Sequence, residues 1–217
     1  MQLTHKFARG HIALAVVGLL SMSVMPAGAQ AVRPTDAAIV ESLRAGGHVI
    51  VLRHGATVST QADTDPLNPK NIKKQRQLNP QGEAAARAFG DAVKALNLPV
   101  GKVITSQFNR AYRTALLAGL PKPAKSNDVT EGGLVVSPDE NVRRAKALRS
   151  IASTAPAAST NTIVVSHKPN IIDAFGKDWF EVKEGEASIF KPDGNSLKLV
   201  ARIQMDEWPK LATAARK

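Results

Sequence analysis

Apolar residues recur along this chain with two alternating periods. Over 36–43, Ala37, Ile39, Val40 and Leu43 form a helical stripe. Thr35 can cap this helix, and Gly46-Gly47 ends it. Residues 48–52 then read as a continuous buried strand. A polar stretch over 58–79, rich in Asp, Asn, Pro, Lys and Gln, reads as a long loop, which is usually functional or disordered. Asn79-Pro80 opens a second helix over 81–96, with Ala85, Phe89, Val93 and Leu96 on one face. A short strand over 103–105 and a short helix over 109–119 follow, and Pro121 and Pro123 close that helix.

Residues 124–139 show no period and read as irregular. A helix over 141–153 repeats Val142, Ala145, Leu148 and Ile151, and a small-residue linker covers 154–161. A buried strand over 162–166 leads into a short helix over 170–175. Strands over 187–190 and 197–203 flank Pro192-Asp193-Gly194-Asn195 as a hairpin. Alternating helices and strands predict a single α/β domain, with a mostly parallel sheet covered by helices on both faces.

The first 29 residues stand apart from this pattern. Lys6 and Arg9 precede an apolar run over 12–24, and Ala27-Gly28-Ala29 supplies small residues for cleavage. That is the layout of a secretory signal peptide, with an uncleaved anchor as the alternative. The expected organisation is a signal peptide over 1–29 and one domain over 30–217. The expected location is outside the cytoplasm, periplasmic or secreted, without stable membrane insertion after cleavage. Removing 1–29 takes away two basic residues and no acid, lowering the net charge from +11 to +9. This balance favours anionic ligands. With aromatics at only 4% and no arginine-rich run, nucleic acid is not the expected partner. The chain has no cysteine, which excludes disulfide and thiolate chemistry.

The candidate chemistry sits where strands end. In open α/β sheets ligands gather at the carboxyl ends of strands. Arg53 and His54 follow the first strand, and Ser106 ends the second, with Arg110 in the next helical turn. Ser166 and His167 end the third. Arginine's planar fork matches phosphate oxygens. A histidine among cations has its neutral, nucleophilic form favoured. His48 opens its strand without a partner and reads as structural, and Trp179 and Trp208 as packing residues.

The ordered set Leu52-Arg53-His54-Gly55, Gln75-Arg76-Gln77-Leu78, Ser106 with Arg110-Ala111 and Thr114-Ala115, and Val165-Ser166-His167 resembles the histidine phosphatase superfamily, also called phosphoglycerate-mutase-like. The resemblance spans residues 36–205. It implies that His54 forms a phosphohistidine, that Arg53, Arg110 and His167 hold the phosphoryl oxygens, and that no metal or cofactor is needed. Ala56 stands where the superfamily often has Glu, while Thr57 remains. Thr57 and Arg76 are candidates for binding the rest of the substrate, although Arg76 could equally stand in solvent. Lys168-Pro169-Asn170 follows the second histidine, without the Asp of the phytase branch. The general acid then falls to Glu131, Asp139, Glu140 or Glu186. Glu140 is the expected choice, at the opening of the 141–153 helix. The expected activity is an exported phosphomonoesterase acting on a small phosphorylated or otherwise anionic substrate. The alternatives are an anion binder without turnover and a basic surface or nucleic-acid module. Oligomeric state is not legible.

Overall fold

A computed structural model describes residues 34–214 apart from Asn195, so the signal-peptide expectation over 1–29 lies outside the described residues. The chain runs α1 (Asp36–Ala45), β1 (Val49–Arg53), α2 (Pro80–Ala95), β2 (Val100–Ser106), α3 (Asn109–Leu117), β3 (Ala124–Ser126), α4 (Pro138–Ser153), β4 (Asn161–Ser166), α5 (Lys168–Phe175), β5 (Glu186–Asp193), β6 (Ser196–Gln204) and α6 (Trp208–Ala214). The six strands form one sheet in the order β3-β2-β4-β1-β5-β6. The four strands from β3 to β1 are mutually parallel, and β5 and β6 add an antiparallel edge.

The period-2 alternation along β1 divides the core in two. Ile50 and Leu52 join Ile163 and Val165 beneath α1, α2, α3 and α6. Val49 and Val51 face the other way, with Val164, onto Leu148 of α4 and Ile171 of α5. Helices thus cover both faces, as the sequence pattern predicts.

Helix starts follow their capping chemistry. Thr35 Oγ1 accepts from the N–H of Ala38 (3.3 Å), and Asn79 Oδ1 from that of Gly82 (2.7 Å), with Pro80 in the first turn. α4 begins three residues earlier than its apolar period suggests, because Ser137 caps Glu140 N–H (3.2 Å) and Pro138 fits the first turn. Two elements escape the sequence reading. β3 is a three-residue edge strand inside the segment expected to be irregular, too short to show alternation. α6 is a short C-terminal helix whose Trp208 stands edge-on to Phe89, with ring centroids 4.9 Å apart.

The long loop over 58–79 is tied to the body of the domain. Thr57 and Leu78 form an isolated bridge, and Gln75 accepts from the N–H of Asn109 (2.7 Å). At its end, Asn79 donates its backbone N–H to Ala56 O (3.0 Å) and its amide to Thr57 O (3.1 Å). α2 therefore docks against the segment that leaves β1. At Gly82 a Cβ would lie 2.1 Å from Ala56 O, closer than any real contact. Gly82→Ala is expected to lower stability by about 1–3 kcal/mol through this overpacking, read as a fall in the denaturation midpoint at unchanged m-value.

Candidate active site

β1 and β4 are neighbours with Arg53 opposite Ser166, so both chains leave the sheet together. The His54 N–H still donates to Ser166 O (3.1 Å), extending the ladder one step past β1. His54 and His167 consequently meet, with ring centroids 5.1 Å apart and planes at 61°. Both residues are buried, at 1% and 0% exposure.

His54 Nδ1 lies 2.9 Å from Gly55 O. A carbonyl only accepts, so Nδ1 carries the proton and Nε2 keeps its lone pair. Burial holds the His54 pKa well below its ordinary 6.5, and the Arg110, Arg53 and Arg76 charges push it the same way. His167 is lowered for the same reasons, burial first and Arg110 next. Neither of its ring nitrogens has a hydrogen-bond partner among the described residues, and its ring stands edge-on to Phe108, 5.6 Å between centroids.

The arginines are held from behind. Arg53 donates Nη1 to Val182 O (2.7 Å), and its Nη2 lies 3.6 Å from Glu184. Glu184 also accepts from the Thr57 N–H (3.1 Å) and hydroxyl (2.6 Å). Thr57 is thus committed to Glu184, and its expected contact with substrate is replaced by a supporting contact beneath Arg53. Arg110 is wholly buried in the first turn of α3, stacked 4.6 Å from the Phe108 ring centre. Its Nη1 reaches Asp63 (3.0 Å) and its Nη2 reaches Glu131. Arg76 lines the same 460 Å³ pocket as Arg53, His54, Glu131 and Lys168, its backbone N–H held by Asp63 (2.9 Å).

The four acid candidates separate cleanly. Glu140 is not brought to the pocket: it is clamped on α4 by Arg143 (2.7 Å) and Arg144 (2.7 Å). Those hydrogen bonds hold its carboxyl down at about 2, which makes it a poor proton donor. Asp139 is exposed beside it. Glu186 is buried at the start of β5, taken up by Arg202, Gln204 and the Lys183 N–H. Glu131 is the one that enters the site, with Oε2 3.7 Å from His167 Nδ1. Burial raises its carboxyl above the ordinary range, against the pull of Arg110. It is placed by the turn over Asn127–Val129, where Thr130 O accepts from Asn170 (3.1 Å) and Arg144 (2.9 Å).

Asp63 and Glu184 were not singled out from the sequence, because each reaches its arginine across a long chain separation. Among the described residues, no group of three or more His, Asp and Glu is arranged to hold a metal ion. The arrangement can present an imidazole lone pair to a tetrahedral anion, surround its oxygens with guanidinium groups, and offer a carboxyl proton beside them.

Known proteins share this architecture. The protein histidine phosphatase SixA, solved with tungstate, superposes with a TM-score of 0.53 at 17% identity, over 74% of this chain and 98% of that one. A mycobacterial glucosyl-3-phosphoglycerate phosphatase solved with VO3 gives 0.51 at 14%, over 71% and 97%. The Rv3214 protein of Mycobacterium tuberculosis gives 0.51 at 18%, over 71% and 96%. No curated protein matches the sequence. Residues 49–129, from β1 to the turn before Glu131, match the family model of the histidine phosphatase superfamily, branch 1. Over those residues the chain is similar to the histidine phosphatase superfamily, and its fold is the one these solved structures share.

Proposed function

We propose that the protein is an exported phosphomonoesterase that passes the phosphoryl group through His54. The observation that carries this reading is the pairing of two neutral, buried imidazoles inside a ring of arginines. His54 Nε2 attacks phosphorus as the ester P–O bond breaks, and Glu131 gives its proton to the leaving oxygen. Water then attacks the phosphohistidine while Glu131 takes back a proton, releasing inorganic phosphate and free His54. Arg53, Arg110 and His167 balance charge on the non-bridging oxygens. Two structural neighbours are complexes with oxyanions, tungstate and VO3, which supports a tetrahedral anion as the ligand here. Export rests on the basic, apolar and small-residue order of 1–29.

Charge couples the pocket to protons. Arg53, Arg76 and Lys168 line one cavity with Glu131 and Asp173, while Glu184 and Asp63 pair with Arg53 and Arg110. Protonating Glu131 both readies the acid and tips this balance toward a phosphate. Activity requires His54 deprotonated and Glu131 protonated. The acidic limb of kcat/KM is therefore expected below the ordinary histidine 6.5 and the basic limb above the ordinary carboxyl 4.5. Glu131→Gln is expected to erase the basic limb and slow alkyl ester hydrolysis about a hundredfold. A nitrophenyl ester, whose leaving group needs no proton, is expected to slow far less. Equal slowing of both esters would remove Glu131 as the acid.

The second reading is anion binding without turnover. It is favoured by one observation, that Asp63 and Glu131 already occupy Arg110. A phosphatase screen combined with trapping of an acid-labile phosphoenzyme separates the two. Phosphate binding with no phosphoenzyme and no turnover would leave only the binder.

A further inference from the structure

Beside the phosphoryl pocket lies a second depression of 670 Å³, and Asp173 lines both. Its walls are the segment 133–138, α4 as far as Arg149, and the C-terminal end of α5. The lining joins an aliphatic set, Leu134, Val136, Pro138, Val142 and Ala145, to the polar Asn141, Lys146, Arg149 and Asp173, and it includes no aromatic ring. Leu134 and Val142 expose 103% and 51% of their surface, and Val135 adds 44% between them in the chain. Single exposed apolar residues need no explanation, but a contiguous patch joined to a reaction pocket marks a ligand surface.

We propose that this groove receives the leaving group of the substrate, an unbranched aliphatic chain carried by a phosphomonoester whose phosphoryl group sits at His54. The inference rests on the phosphatase reading and names its substrate class. Glu131 borders the phosphoryl pocket, and Gly133 and Leu134, two and three residues further on, border the groove. The oxygen protonated by Glu131 is the point from which the rest of the substrate departs, and the chain beyond Glu131 leads directly along the groove wall. An aliphatic chain suits this lining better than an aromatic ring, which finds nothing to stack on. Among the polar lining groups, the Asn141 amide is already given to Gly133 O (2.9 Å), and Arg149 donates Nη1 to Ala174 O (3.0 Å).

The test is titration calorimetry of the full chain with n-alkylphosphonates from ethyl to decyl, each below its micelle concentration, with phenylphosphonate beside them. The P–C bond resists hydrolysis, so the series reads the groove without turnover. Affinity is expected to rise about twofold per methylene, half the logarithmic gain of complete burial. Val142→Glu and Leu134→Glu, both at exposed positions, are expected to flatten the slope. A flat series in the unaltered protein, no binding of any member, or phenylphosphonate binding more tightly than octylphosphonate would overturn the proposal. Turnover of aryl phosphates together with a flat series would remove the groove and keep the phosphatase. A steep series without phosphohistidine would do the reverse.

Discussion

Replacing His54 with alanine is expected to lower kcat on an aryl phosphate by about four orders of magnitude or more. The ring is the nucleophile in the proposed reaction, and its orientation is fixed by the bond to Gly55 O, which leaves Nε2 free to attack. Burial and the three neighbouring arginines keep that nitrogen unprotonated well below the ordinary histidine range. Alanine leaves only water as the attacking group, without the covalent step that divides the reaction in two. The arginine cage would remain, so phosphate should still bind. The fold should survive as well, because the ring's one hydrogen bond is local. Steady-state kinetics, a phosphoenzyme trap and a thermal melt together check this outcome. Turnover that persisted in the variant would end the phosphohistidine mechanism.

Arg110→Ala is expected to damage both stability and rate. The side chain is wholly buried, with one nitrogen on Asp63 at 3.0 Å and another on Glu131. Its loss leaves two carboxylates facing each other near a buried site, which typically costs about 3–5 kcal/mol. Both acids keep some solvent contact, at 16% and 20% exposure, so the lower end of that range applies. The rate constant kcat/KM should fall about a thousandfold, because in the proposed reaction the same fork also holds the transferring group. Asp63 anchors the 58–79 loop through this contact, so the loop should become protease-sensitive. Adding Asp63→Asn to the Arg110→Ala protein should restore part of the stability and none of the rate. Chemical denaturation of the four members of this cycle checks the coupling. If Asp63→Asn gave no recovery, repulsion between the carboxylates would not be the source of the loss.

Much of this site could be read from the chain because its main residues follow buried parallel strands. β1 and β4 carry continuous apolar, largely β-branched runs, and such runs announce where they stop. His54 and His167 could therefore be placed at one edge before any coordinates, and Arg110 followed from the helix that begins after β2. The acid could not be assigned in the same way. Glu131 lies just before α4 and Glu140 in its first turn, and what brings only the former to the pocket is a 3-10 turn and two side-chain bonds to Thr130 O. One signal was available, since Arg143 and Arg144 stand three and four residues after Glu140, the spacing at which a helix pairs opposite charges. Asp63 and Glu184 left no trace, because a bond across a long loop has no period. The same holds for Thr57, which gives its hydroxyl to Glu184 far along the chain.

Parallel strands are spaced by their hydrogen bonds at about 4.8 Å, whatever their side chains. The reacting pair sits one step beyond a matched rung of two such strands, and its ring separation, 5.1 Å, lies close to that lattice constant. The ladder thus delivers both histidines to one sheet edge together, independently of the long excursion between them. Lengthening or exchanging the surface segments in that excursion can retune what the pocket accepts while the pair keeps its gauge.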